Sequence, residues 1–209
     1  MGKGKKILIG LISIIIILII IIVGVYFVSF RPKVETTPVN GTVQVNTVAI
    51  AKKFIPSDIK LSKDGVSATS NVKLNSSELT NLAAYAVSKS PTATKYITGL
   101  KVATDNNNKL VVYVTGKLNN IPSQAKIDFS VKPENGSAVL HYDGGKIGFL
   151  SIPKSLIFDK LRSNDYIHVD KSNGDITINP QEIKGLNISN ISVNKSDLDI
   201  QLNEKIKSL

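Results

Sequence analysis

The chain of 209 residues contains no cysteine and only two histidines, and each shortage excludes a class of protein. Without cysteine there is no disulfide framework, and a lipoprotein anchor attached through a cysteine thioether is excluded. The domain must therefore be stabilised by core packing alone, which suffices for a chain of this length. With two histidines and no Gly-x-Ser-x-Gly elbow, the sequence predicts no metal centre, no cofactor site and no enzyme.

Acidic side chains are the one route to catalysis left open, because two carboxylates can hydrolyse a glycosidic bond. Asp143 and Asp170 are the candidate pair, and such an envelope hydrolase is a remote alternative. Both histidines lie in the middle of predicted strands, where alternation assigns them a structural role. The segments 143–146 and 170–175 lack the spacing of phosphate and calcium loops, and both predict turns.

Arginine is nearly absent outside the N-terminal region. The formal charge is +10, but five of the 26 basic residues flank the apolar N-terminal run, which leaves 21 basic against 16 acidic residues. Those 21 include a single arginine, Arg162, and the lysines are scattered without regular aromatic interleaving. Nucleic-acid sites combine clustered arginine with stacking rings, so the sequence predicts no nucleic-acid partner.

The most informative feature present is the apolar run from Ile7 to Phe30. It is about 24 residues long, more than the roughly 20 that a helix needs to cross a bilayer. Tyr26 and Phe27 occupy the place where a cleaved signal carries small residues, so we expect an uncleaved signal-anchor. Lysines are denser before the run than after it, which predicts a single-pass cell-membrane protein with a cytoplasmic N-terminus and an extracytoplasmic C-terminal domain.

These features divide the chain into four parts. Residues 1–6 are the basic cytoplasmic tail, and residues 7–30 are the transmembrane signal-anchor. Residues 31–42 contain two prolines and predict an extended linker. Residues 43–209 have the size of one extracytoplasmic domain.

Period-two alternation dominates the C-terminal part and predicts half-buried strands. The expected strands are 59–61, 66–74, 97–103, 110–118, 124–132, 137–142, 166–169, 175–178, 186–193 and 198–202. Asn135-Gly136 is typical of a hairpin turn, and a change of phase near Ser189 and Asn190 predicts a bulge.

Two helices are expected between these strands. Ser76 is a suitable N-cap, Glu78 complements the helix dipole, and an apolar stripe continues to Val87. The second helix begins at Pro153, a favoured first position, and runs to about Arg162. Many antiparallel strands with two helices predict an α+β domain, with a curved sheet wrapped on a helix as in tubular lipid-binding domains.

The order of four segments resembles the YpmS family of Gram-positive membrane-anchored proteins. The segments are residues 74–82, 133–140, 146–153 and 166–170, with Gly148, Leu150 and Pro153 matching the third. The similarity covers residues 74–202. That family is uncharacterised, so the resemblance implies a membrane location and a fold class but no catalytic residues.

The favoured function is that of a non-enzymatic envelope protein that binds a lipid or envelope amphiphile in an apolar groove between sheet and helix. The residues expected to line this groove are Leu82, Ala86, Phe149, Leu150, Ile157 and Phe158. The alternative is an interaction module that presents a sheet edge or the Pro153 helix to membrane or cell-wall machinery. The expected partners are therefore the bilayer, a lipid or envelope polymer, or a membrane protein.

Overall fold

The computed structural model describes residues 16–39, 43–62, 65–105, 107–118, 120–180 and 186–206. Helix α1 covers residues 16–25 and passes into one turn of π-helix, Tyr26–Phe30. Within the described residues, no helix has both the length and the hydropathy to span a membrane. The expected anchor begins outside these residues, so its single-pass topology and the four-part division of the chain stay predictions.

The other described elements are short helices and longer strands. The helices are α2 (Thr47–Lys53), α3 (Ser76–Ser88), α4 (Pro91–Thr94) and α5 (Lys154–Phe158). The strands are β1 (Thr37–Pro38), β2 (Asp58–Ser62), β3 (Gly65–Asn75), β4 (Ile97–Asp105), β5 (Lys109–Leu118), β6 (Ile121–Glu134), β7 (Ser137–Ile147), β8 (Leu150–Ser151), β9 (Ile167–Asp170), β10 (Asp175–Ile178), β11 (Leu186–Val193) and β12 (Asp197–Ile206).

The strands form two antiparallel sheets. Sheet A has the order β1-β4-β5-β6-β7-β10-β9, with β8 paired to β7, and sheet B has the order β11-β12-β3-β2. The hairpins β2–β3, β4–β5 and β6–β7 confirm the strand predictions, and Asn135 and Gly136 adopt positive φ at the last turn. A register shift between Ile188 and Asn190 confirms the predicted bulge.

A hydrophobic core joins the two sheets and α3. It includes Val72 of β3, Leu100 of β4, Ile188 of β11 and Ala84 of α3. The α+β class is confirmed, but the expected curved sheet wrapped on a helix is wrong, because both sheets are open. The physical reason is that α3 carries the chain from β3 in sheet B to β4 in sheet A, so the strands divide between two packed layers instead of continuing one sheet.

Both predicted helix starts are displaced by one residue. Asn75, rather than Ser76, is the N-cap of α3: its Oδ1 accepts from the Glu78 N–H at 2.9 Å, and Glu78 Oε2 accepts from the Asn75 N–H at 3.0 Å. This is a capping box, which satisfies two backbone donors at once. Pro153 is the N-cap of α5 rather than its first residue, and α5 ends at Phe158 rather than near Arg162.

The segment predicted as a linker contacts the domain. Strand β1 pairs with β4, and the side chain of Val39 is buried. The backbone N–H groups of Lys33 and Val34 both donate to Oε1 of Gln124, at 3.2 and 3.0 Å. The chain that leaves the apolar run is therefore held against sheet A.

Candidate functional site

The six residues predicted to line one groove lie in two different parts of the domain. Leu82 and Ala86 are on α3, where Leu82 packs against the core and Ala86 is exposed. The helix α3 packs mainly on β4. Phe149 lies in the turn between β7 and β8, Leu150 is the first residue of β8, and Ile157 and Phe158 are on α5. Their role in binding stays a prediction.

Phe158 is a core residue. Its side chain has no exposed surface, and its ring lies edge to face with Tyr142, with centroids 6.0 Å apart. Tyr142 makes a similar contact with Phe129 at 5.9 Å, and its hydroxyl donates to the carbonyl of Ile152. This aromatic row holds the short helix α5 on sheet A.

A cavity of about 420 Å³ opens between β1 and the start of α3. Its lining consists of Glu35, Thr36, Thr37, Pro38, Ser76, Ser77, Thr80 and Lys101. None of the six predicted groove residues lines it.

Asp143 and Asp170 each have other partners. Asp143 Oδ2 lies 3.1 Å from Lys109 Nζ, and its Oδ1 accepts from the hydroxyl of Ser130. Asp170 accepts from the backbone N–H of Asn173 and of Ser172, and these bonds lower its pKa. A general acid for glycoside hydrolysis needs a raised pKa, so Asp170 has the opposite character.

The two segments predicted as turns differ. Residues 170–175 do connect β9 to β10, with Gly174 at a φ of 79°. Residues 143–146 instead lie within β7, so that prediction is wrong. The glycines at 144 and 145 are accommodated next to a register shift between Asp128 and Phe129 of β6, which explains why they do not end the strand.

The two histidines lie on different strands of sheet A. His141 Nδ1 is 2.6 Å from Asp175 Oδ1, and these two residues are cross-strand neighbours on β7 and β10. His168 is exposed on β9. Among the described residues, no group of three or more histidine, aspartate or glutamate side chains could hold a metal ion. The His141–Asp175 pair ties two strands together.

An apolar surface extends from the core of sheet B to its edge. Along β3 the core face carries Val72, which is buried, then Ala68 and Val66, which are half-buried. On the edge strand β2, Ile59 lies opposite Ala68 and Leu61 lies opposite Val66, so both share that face. Their side chains are 63 % and 83 % exposed. We call these four residues, Ile59, Leu61, Val66 and Ala68, the β2 face.

A second exposed apolar region surrounds the point where the apolar run meets the domain. Phe30 lies edge to face with Phe149, with ring centroids 5.2 Å apart. The hydroxyl of Tyr26 donates to the carbonyl of Pro122 at 2.9 Å. Phe149 and Leu150 are 64 % and 51 % exposed. We call this region, at the β5–β6 and β7–β8 turns, the anchor-proximal end.

Comparison with protein families gives a match to part of the chain. Residues 65–147 match the sequence model of a family described as cytochrome oxidase complex assembly protein 1. No curated protein matches, and no solved structure matches. The matched segment runs from the first residue of β3 to the last residue of β7, and it therefore includes α3, α4 and the central strands of sheet A.

This match corrects the predicted resemblance and function. The resemblance to the YpmS family is wrong, because the segments that carried it are built from common residue types, and two of them lie within the matched residues. The predicted function, that of an envelope protein that binds a lipid in an apolar groove, is wrong as well. The match also contradicts its two alternatives, a module for cell-wall machinery and an envelope hydrolase. Assembly factors of the matched family are not enzymes, which confirms the prediction of a non-enzymatic protein, and they are associated with membranes, as expected.

Proposed function

We propose that this protein is a membrane-associated assembly factor for a cytochrome oxidase complex, and that it binds a partner polypeptide of that complex through the β2 face. The observation that carries the proposal is the match of residues 65–147 to the cytochrome oxidase assembly family.

The edge position of β2 supports the choice of this surface. In the described part of the chain, sheet B ends at β2, so one side of this strand presents unpaired backbone N–H and C=O groups. Such an edge can add a strand from a partner, in which backbone hydrogen bonds give affinity and alternate side chains give specificity.

The side chains of the β2 face supply the apolar part of the contact. Burying an exposed aliphatic side chain contributes about 1.5–3 kcal/mol, so covering Ile59 and Leu61 together favours binding substantially. The neighbouring charges are few: Asp58 and Lys60 form an ion pair at 3.4 Å on the same strand. An extended, apolar segment of a membrane subunit before its insertion has the matching chemistry.

The test is affinity purification of the full chain from detergent-solubilised membranes, followed by quantification of co-purifying oxidase subunits by mass spectrometry. Leu61→Asp introduces a charge into the β2 face without disturbing the core, because Leu61 is 83 % exposed. The matched control is Tyr166→Asp, which changes an exposed apolar side chain next to β9 of sheet A.

The proposal expects oxidase subunits with the wild-type chain and with Tyr166→Asp, and a loss of at least tenfold with Leu61→Asp, which corresponds to about 1.4 kcal/mol. Retention of the subunits by Leu61→Asp would exclude the β2 face as the contact. Their absence from the wild-type preparation would contradict the assembly role itself.

A further inference from the structure

The apolar run meets the domain at a fixed position. Besides the Phe30–Phe149 contact, Gly148 adopts a φ of 61°, and a Cβ at this residue would lie 2.8 Å from the carbonyl oxygen of Ser29. The absence of a side chain at Gly148 therefore allows the close approach of the two segments. The helical segment at residues 16–30 leaves the domain from this one end.

Exposed apolar side chains surround that exit point. Phe149 and Leu150 project from the β7–β8 turn, Ile121 is at the start of β6, and Phe27 is on the π-helical turn; each is at least half exposed. These four exposed side chains do not pack in the hydrophobic core of the domain. Aromatic and aliphatic side chains in this position are typical of protein that lies at the boundary between lipid headgroups and acyl chains.

Basic side chains lie immediately beside this apolar end. A pocket of about 250 Å³ has a lining that includes Arg31, Lys33, Lys126, Lys146 and Gly148. Four of these residues are cationic, and only Lys126 has a carboxylate partner among the described residues, Asp128 at 3.0 Å. The guanidinium of Arg31 lies over the ring of Phe27, 5.5 Å from its centroid.

We propose that the anchor-proximal end is seated on an anionic membrane surface, with Phe149 and Leu150 at the acyl boundary and Lys33 and Lys146 at the level of the lipid phosphates. This contact is with the bilayer surface and is separate from the contradicted lipid groove. Each lysine near an anionic surface is attracted to it electrostatically. The seating fixes the orientation of the domain, which a flexible linker would not do.

Tyr166 lies at the other end of sheet A and is the control position for the experiment below. Its carbonyl accepts from Asn179, next to the β10 residue Ile178, which pairs with Ala138 at the start of β7. The turn that contains Phe149 follows the end of β7. Since β7 has 11 residues, the two positions are about 30 Å apart at roughly 3.3 Å per residue.

The chain contains no tryptophan, so one introduced tryptophan is a unique probe. We suggest Phe149→Trp and, as the control, Tyr166→Trp, each in the full chain reconstituted into vesicles of phosphatidylglycerol and phosphatidylcholine with brominated acyl chains. Bromine quenches indole fluorescence only at short range. Circular dichroism of each variant establishes that it is folded before quenching is measured.

The proposal expects strong quenching and blue-shifted emission for Phe149→Trp, and neither for Tyr166→Trp. It also expects Lys33→Gln combined with Lys146→Gln to reduce the quenching of Phe149→Trp in anionic vesicles to the value measured in pure phosphatidylcholine. Unquenched Phe149→Trp, or equal quenching of both tryptophans, would overturn the seating. Equal quenching in anionic and neutral vesicles would overturn the part assigned to the lysines.

Discussion

Phe30, at the end of the apolar run, and Phe149, at a turn of sheet A, lie edge to face with ring centroids 5.2 Å apart and planes at 72°. Such a contact contributes about 0.5–1.5 kcal/mol beyond the burial of apolar area. It joins the segment that precedes the domain to the domain itself, and it depends on the close approach that Gly148 permits.

We predict that Gly148→Ala separates these two segments. The new Cβ would meet the backbone of Ser29, and the positive φ is unfavourable for alanine by about 1–2 kcal/mol. Hydrogen exchange of the full chain in detergent should show faster exchange at Arg31, whose N–H donates to the Tyr26 carbonyl. Gly144→Ala is the control, because it also has positive φ but nothing within 4 Å of its Cβ. Equal exchange at Arg31 in both variants would contradict this explanation.

We predict that Phe158→Ala destabilises the protein by about 3–5 kcal/mol, because it removes a fully buried ring from the aromatic row on sheet A. Phe149→Ala should cost less than about 1.5 kcal/mol, since only its edge-to-face contact is lost. Urea unfolding of the full chain in mild detergent measures both. Similar losses for the two variants would mean that Phe158 is not the packing residue described.

We predict that Thr80→Val costs about 1–3 kcal/mol although it conserves volume. The buried hydroxyl of Thr80 accepts from the N–H of Val102 at 2.9 Å and donates to the carbonyl of Ser76 at 2.6 Å. Valine leaves the N–H of Val102 buried without its acceptor. Thr94→Val, whose hydroxyl bond lies at the surface, should change the free energy of unfolding by less than about 0.5 kcal/mol. An equal effect of the two substitutions would disprove the buried bond.

We predict a pH-dependent contribution from Glu78. The hydrogen bond from Lys53 lowers the pKa of Glu78 below its ordinary value of 4.5, and the hydrogen bond from the backbone N–H of Asn75 acts in the same direction with smaller weight. A carboxyl group with a lowered pKa in the folded state stabilises the protein above its ordinary pKa and loses this contribution as the pH falls through the lowered value. The difference in the free energy of unfolding between wild type and Glu78→Gln should therefore be constant from pH 5 to 7 and decrease below about 4. A difference that grows on acidification would contradict the assignment.

Much of the β-structure could be predicted from the sequence, because local patterns determine hairpins. The alternation in β3 and the Asn135-Gly136 turn specify their elements directly. The division into two sheets could not be predicted, since the hydrophobic period of a strand does not encode the sheet that it joins. The two-residue strand β1 was missed for the same reason: it has no period, and its pairing with β4 depends on tertiary contact.

The candidate surfaces were less predictable than the fold. Phe158 and Phe149 are both aromatic residues a few positions from Pro153, and the sequence does not distinguish them. Phe158 is nevertheless buried and Phe149 is exposed. The exposure of Leu61 follows from its place on an edge strand, which no local signal indicates. The position of β2 at the edge of sheet B could be known only from the order of strands in that sheet.

The most direct test of the assembly role is the content of assembled cytochrome oxidase in membranes of cells that lack this protein, measured from the reduced-minus-oxidised spectrum of the oxidase haems. Cells complemented with the wild-type chain and cells complemented with Leu61→Asp are measured in parallel. The proposal predicts that the haem signal falls without the protein, returns with the wild-type chain and stays low with Leu61→Asp. An unchanged signal in cells that lack the protein would contradict the role in oxidase assembly.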